Sequence, residues 1–391
     1  MAGGLDDGAA ARGSRILSLD ILRGLVMVLM VLDHCRGMWN AGTGIEPLDP
    51  ARTTPLLYFT RWITHFCAPV FVLLAGSSAF LMGRGEGLGK AALAARLASR
   101  GLVLILVELV LVSPAWGRVF FLNGLFLQVI WALGVSMVLL GALQFLPSRA
   151  IGLAGLAIIA LHNLLPDPAS GGRLGTLLWD ILHRHGTVTL AGAWAVEVKY
   201  PLIPWVGVMF LGYALGELYK TGAVLRRRCL SAAGAACVLL FLVLRSLSVY
   251  GDPSPFVSSG PTLASLYSFL GVEKYPPSLL YLLATLGPAF LVLPLLERLC
   301  LGEGHPLLVF GRTPLFFYVV HLYLIILSGA VAMVALNALG VLRGYLDSVP
   351  FSFGLGTTYV VWLLTLAALY PVCARYRRLK TSGRHRWTGY F

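Results

Sequence analysis

Charge is what this sequence has least of. Only 12 % of its 391 residues are Asp, Glu, Lys or Arg, 58 % are hydrophobic, and the mean hydropathy is +0.82. Soluble domains carry about a quarter of charged residues, so a soluble enzyme is excluded. Cysteines are few: Cys35, Cys67, Cys229, Cys237, Cys300 and Cys373 lie in or beside apolar runs, without a C-x-x-C or a His/Cys pairing at zinc spacing. Neither a disulfide framework nor a metal centre is expected. The sequence also lacks a P-loop, a G-x-G-x-x-G after a strand and a G-x-S-x-G elbow, and its Asp and Glu residues are too scattered for a catalytic dyad, which removes the chemistries those motifs serve. Neither internal repeats nor low-complexity tracts are visible. The first apolar run carries Asp20 and Arg23 and no cleavage site follows it, so it reads as a retained helix and not a signal peptide.

Long hydrophobic runs are what is there. A spanning helix takes roughly 20 apolar residues, and Gly, Pro and charge punctuate the chain into ten candidate spans. They fall at about 16–38, 56–82, 100–116, 119–146, 149–165, 201–219, 229–250, 277–300, 313–338 and 353–374. The expected fold class is all-α: a polytopic transmembrane bundle of about ten spans over 16–374, between a tail at 1–15 and a basic tail at 375–391. With the N-terminus inside, the inner segments collect 19 basic and 6 acidic residues, whereas the outer ones hold 9 of each. The whole net charge of +13 then lies on one side, the pattern of the positive-inside rule, with both termini cytoplasmic and the protein multi-pass in a cell inner (plasma) membrane. Because the basic residues flank apolar runs, membrane lipids and not nucleic acid are the expected partners, and a homodimer is compatible with the pattern. The two long outer segments, 166–200 and 251–276, read as loops, with Trp179, Trp194 and Trp205 in the interfacial belt. The two halves do not mirror each other, which disfavours an inverted-repeat transporter.

Ionisable side chains inside spans are costly, which makes them functional candidates that face the bundle interior. The first span places Asp20, Arg23, Met27, Met30 and His34 at steps of three and four, on one helical stripe. Asp20 and Arg23 are spaced for an i, i+3 salt bridge. Asp33 is turned about 100 degrees from His34, so an outer basic group is its expected partner. In the second span Arg61 and His65 share a face at i, i+4, and each is read either as functional or as a structural anchor. His321, one turn after Tyr318, faces the bundle in the ninth span. Glu108, Asn123, Gln128, Arg245 and Lys274 are further polar groups placed to line a cavity. An imidazole takes and returns a proton near neutrality, so His34 and His65 carry the strongest chemical signal.

The pattern R15-x4-D20-x2-R23-G24, with ten residues between Arg23 and His34, resembles the Arg-x10-His signature of integral-membrane acyltransferases. The strings LDILRGLVMVLMVLDHCR, TRWITHFCAPVFVLLAGSSAFL, LQVIWALGVSM, YPLIPWVGVMFLGYALG, YGDPSPF, VEKYPPSLLYLLATLGPA and GRTPLFFYVVHLYLI extend the likeness over nearly all of 16–330. Together they resemble the prokaryotic membrane proteins of heparan-α-glucosaminide N-acetyltransferase-like type. The resemblance implies transfer of an acetyl or acyl group from cytosolic acetyl-CoA, or another acyl-CoA, to an amino or hydroxyl group of an extracytoplasmic sugar. In it Arg23 and His34 match the signature, and His321 takes the place of a late-helix histidine of the family. The candidate catalytic residues are thus His34, His65 and Arg23, and Asp20, Arg61, Gln128 and His321 are the candidates for holding the donor. The lysosomal enzymes carry their catalytic histidine between the first two spans, where residues 40–55 have none here. Either His65 substitutes or His34 acts alone. With no lumenal extra domain in the sequence, a small-molecule or glycan acceptor of a bacterial envelope, including a lipid-linked sugar, is expected in place of heparan. A transporter using the same polar stripe is the competing reading.

Overall fold

The computed structural model describes residues 16–168, 172–258, 260, 262–340 and 351–382, so the N-terminal tail and the end of the basic C-terminal tail lie outside the described residues. The chain builds α1 (Leu17–Trp39), α2 (Pro55–Gly85), α3 (Lys90–Ala115), β1 (Gly124–Leu127), α4 (Val129–Phe145), α5 (Ser148–Leu164), α6 (Gly172–Leu182), β2 (Gly186–Ala191) and β3 (Trp194–Val198). There follow α7 (Leu202–Lys220), α8 (Ala223–Leu247), α9 (Leu263–Leu270), α10 (Leu279–Leu296), α11 (Pro306–Gly311), α12 (Pro314–Ala338) and α13 (Leu355–Thr381). Seven of the described helices, α2, α3, α7, α8, α10, α12 and α13, are long and apolar enough to cross a membrane. Helices α4 and α5 are apolar but shorter, and α1 has the length at 23 residues but carries Asp20, Arg23, Asp33 and Arg36. Leu102, Leu239, Leu327 and Leu364 are each exposed by more than half on the outer faces of these helices, as a lipid solvent allows.

Lipid offers no hydrophobic drive between helices, so close packing through small residues holds them. Helices α2 and α7 cross at Gly76 and Gly212, where a Cβ on Gly76 would run into the Met209 carbonyl and one on Gly212 into that of Leu73. The obstacle at each is backbone, which cannot swing aside. Gly76→Val is therefore expected to cost about 1–3 kcal/mol, the usual penalty of overpacking, read as a lower unfolding temperature in detergent; an unchanged temperature refutes this crossing. Helix α1 is the hub, touching α2, α10, α11, α12 and α13, and Gly24 and Gly311 let α1 and α11 meet backbone to backbone.

Four expectations need correction. The fold is mostly helical but not all-α: β1, β3 and β2 form a three-stranded sheet in that order, β1 parallel and β2 antiparallel to β3. The segment 119–146 is consequently not one span, because residues 124–127 pair with 195–198 and α4 begins only at Val129. The segments 166–200 and 251–276 contain α6, β2, β3 and α9 instead of being bare loops. Trp205 is fully buried, packed against Tyr200, and not in an interfacial belt. Parallel pairing over some seventy positions has no local sequence signal, unlike a hairpin.

Candidate functional site

The site gathers at the Trp39 end of α1. Pro69 lacks an N–H and cannot bond the carbonyl four residues before it, so α2 tightens to a 3-10 turn over Ile63–Phe66, and the freed His65 carbonyl accepts the Tyr281 hydroxyl at 2.8 Å. That turn presents Thr64 and His65 toward α1. The sheet does the same for the far wall. The backbone N–H groups of Lys199 and Tyr200 donate to the Leu127 carbonyl at 3.0 and 3.2 Å, which sets them beside Gln128. The segment before α10 adds Lys274 and Tyr275.

These elements enclose two adjoining hollows. The outer is about 610 Å³, with Arg36, Arg61, His65, Lys199, Lys274 and Tyr275 among its lining residues. The inner is about 40 Å³ and reaches Asp33, His34, Thr64, Gln128, Tyr200, Lys274 and Tyr318. Lys274 belongs to both. Asp33 has the basic partner expected of it: Arg61 Nη1 lies 3.0 Å from Oδ2 and Arg36 Nη2 3.3 Å from Oδ1, and Arg61 also donates to Thr64 Oγ1 at 2.9 Å. One carboxylate thus answers two guanidiniums. The excess positive field shows at the Tyr275 phenol. Burial alone would raise its pKa, but Lys274, Arg61 and Lys199 outweigh burial and draw it below the ordinary value.

His34 meets His321 at the inner hollow. Nδ1 of His34 lies 2.7 Å from Nε2 of His321, the two rings are nearly parallel at 8°, and Trp116 stands edge-on to His34 with centroids 5.5 Å apart. The tautomers follow from the last acceptor in the row. Nδ1 of His321 faces the Phe317 carbonyl at 3.1 Å, an oxygen that only accepts, so that nitrogen carries the proton. In the neutral ring Nε2 is then bare and accepts the N–H of His34 Nδ1. His34 is left with an unprotonated Nε2, the form a general base requires. Removing the acceptor by His321→Leu should lower kcat about 10- to 100-fold, as loss of a ring-orienting partner does, at little cost in KM. His321→Gln, which restores an acceptor oxygen, should recover most of it. Equal losses in the two variants would show that the contact merely packs.

The candidates divide by place. His34, Arg61, Gln128 and His321 are brought together, and His65 lines the outer hollow, buried, with no partner for Nε2 among the described residues. Arg23 and Asp20 are not among them. Arg23 stands eleven positions before His34, about 16 Å along the helix. It donates to Asp20, to Ser78 Oγ and to the Gly311 carbonyl at 3.0, 2.7 and 3.0 Å, while Arg312 holds the second Asp20 oxygen at 3.1 Å. Met27, between the two ends of the stripe, is fully buried. Glu108 and Asn123 serve local structure: Glu108 accepts the Trp131 N–H in the first turn of α4 at 2.9 Å, and Asn123 closes its own loop. Arg36, Lys199, Tyr200 and Tyr275 escaped attention in the sequence. A signal for three of them is the tripeptide Lys-Tyr-Pro, which occurs at 199–201 and again at 274–276.

A bundle of membrane-length helices with a histidine pair under a solvent-reaching hollow defines a multi-pass membrane protein with an embedded site. The family model described as heparan-alpha-glucosaminide N-acetyltransferase, catalytic, matches residues 15–251. The chain belongs to that family and is a membrane transferase of the acyltransferase kind. The match includes His34, Arg61, His65 and Gln128 and ends before Lys274 and His321. No curated protein matches the chain.

Proposed function

We propose that the protein transfers an acetyl or other acyl group from cytosolic acyl-CoA to an amino or hydroxyl group of a sugar that enters the outer hollow from the extracytoplasmic side. Ten spans are counted by adding α1, α4 and α5 to the seven, and the segregation of positive charge sets both termini in the cytoplasm of a plasma-membrane protein. The outer hollow then opens away from the cytoplasm, and Asp20 and Arg23 mark the cytoplasmic end of α1.

The observation that carries the reading is the His34 to His321 contact at 2.7 Å, in a hollow that adjoins the vestibule, within a chain of acetyltransferase family. The bare Nε2 of His34 takes the proton of the acceptor as its nitrogen or oxygen bonds to the thioester carbonyl carbon. The C–S bond then breaks, and the proton passes to the departing thiolate of CoA. Such general-base assistance typically supplies 10²- to 10⁴-fold. The Tyr318 hydroxyl donates to Gln128 Oε1 at 3.4 Å, which leaves the Gln128 amide N–H groups to bind the developing oxyanion. Arg23 stands too far from His34 for that task, so its part is to tie α1 to α2 and α11 at the donor side. His65 lines the acceptor vestibule and takes no proton in this scheme.

The test is incubation of the purified protein with radiolabelled acetyl-CoA and a panel of amino sugars and glycans. Transfer of label in detergent is expected. Sugar movement that needs sealed vesicles and a gradient, without transfer, would favour the transporter instead.

A further inference from the structure

We propose that Lys199 and Lys274, contributed by the two Lys-Tyr-Pro tripeptides, form a binding site for an oxyanion that the acceptor carries: a phosphate, a sulfate or a carboxylate. Both ammoniums sit against the ring of Tyr275, at 4.3 and 5.2 Å from its centroid. Lys274 is 7 % exposed and lines both hollows, yet among the described residues no carboxylate lies within ion-pair distance of it or of Lys199. Burying a charge without a counter-ion costs several kcal/mol, and a ring face repays only part of that.

The nearby acids are committed or face the cavity from elsewhere. Asp33 is shared by Arg61 and Arg36. Glu273 accepts the Tyr275 backbone N–H at 3.0 Å, and Glu46 stands on the wall built by residues 41–48. Four cations therefore meet three carboxylates in the two hollows, an excess of one positive charge, and among the described residues Lys199 and Lys274 are the two of the four without an ion pair. A ligand oxyanion between them completes the pairing. Since Lys274 reaches the hollow that holds His34, an acceptor anchored there presents a neighbouring amine or hydroxyl to Nε2. The direction of the Tyr275 shift described above agrees with such a site.

The proposal deepens the acyl-transfer reading, and it is tested without turnover. Glucosamine and its phosphate, sulfate and lactic-ether carboxylate derivatives are titrated into the purified full-length protein by calorimetry. At least one anionic derivative should bind about tenfold or more tightly than glucosamine, a difference of about 1.4 kcal/mol, and high salt should weaken the preference. Which derivative wins identifies the anion. The preference should fall to within about twofold in Lys274→Met and persist in Lys274→Arg. Should Lys274→Met fail to fold, Lys199→Met is read in its place, with an unchanged unfolding temperature as the control. Equal binding of all four sugars, or a preference that survives both Met variants, overturns the proposal. So does displacement of the sugar by adenosine bisphosphate, the nucleotide end of CoA, which would assign the anion site to the donor. Preference without acyl transfer would sink the enzymatic reading alone, and transfer without preference would sink this site alone.

Discussion

His34→Ala is expected to lower kcat for acyl transfer by about 10²- to 10⁴-fold, the range that general-base assistance spans, with KM for the acceptor nearly unchanged. The split follows from geometry. His34 lines the inner hollow, whereas Arg36, Arg61 and Lys199 line the outer one and are untouched by the substitution. Truncation also leaves the Nε2 acceptor of His321 without the N–H it has at 2.7 Å, worth about 1–3 kcal/mol of stability. His34→Gln, which retains an N–H donor and no base, separates the two effects. It should melt close to the parent and still be inactive. The measurement is single-turnover transfer of labelled acetyl groups beside a melting curve of each variant. Full activity in either variant would remove His34 from the mechanism and return attention to His65.

The largest loss of stability should come from Arg245→Met, outside the site. Arg245 is 2 % exposed. Its guanidinium donates to the carbonyls of Phe269, Ser254, Ser268 and Gly271 at 3.0, 2.6, 2.6 and 2.7 Å, and Asp252 lies 3.8 Å away. One side chain thereby ties the end of α8 to α9 and to the segment between them. Methionine keeps much of the stem but takes the guanidinium donors from four carbonyls and the counter-ion from the buried Asp252 carboxylate. Removing one partner of such a buried set costs about 3–5 kcal/mol, and the apparent unfolding temperature should drop by about 5–10 °C. A melt within the error of the parent would contradict this assignment. The residue was expected to line a cavity; the structure assigns it to holding a loop.

The stripe on the first helix was readable because helical periodicity is local. Asp20 to Arg23 at 3.0 Å and the basic partners of Asp33 follow from spacing and from the cost of charge in hydrocarbon. Gly76 at a helix crossing was equally foreseeable from its size. The depth of Trp205 was not, since an indole suits a belt and a core alike and only its neighbours decide. Nor was the sheet, whose strand 124–127 pairs with 195–198 and which places Gln128 beside Lys199 and Tyr200.

Composition, hydrophobic runs and the ten-residue spacing from Arg23 to His34 determined by themselves a multi-pass helical membrane protein of this acyltransferase family, because those signals are summed along neighbouring residues. The partner of His34 lies 287 positions away, and the two Lys-Tyr-Pro tripeptides are 75 positions apart in the chain. Their meeting, and with it the tautomer of His34 and the charge of the outer hollow, was decided by tertiary packing alone. Contacts at such separation are chosen by which helix faces fit, and no local preference encodes that choice.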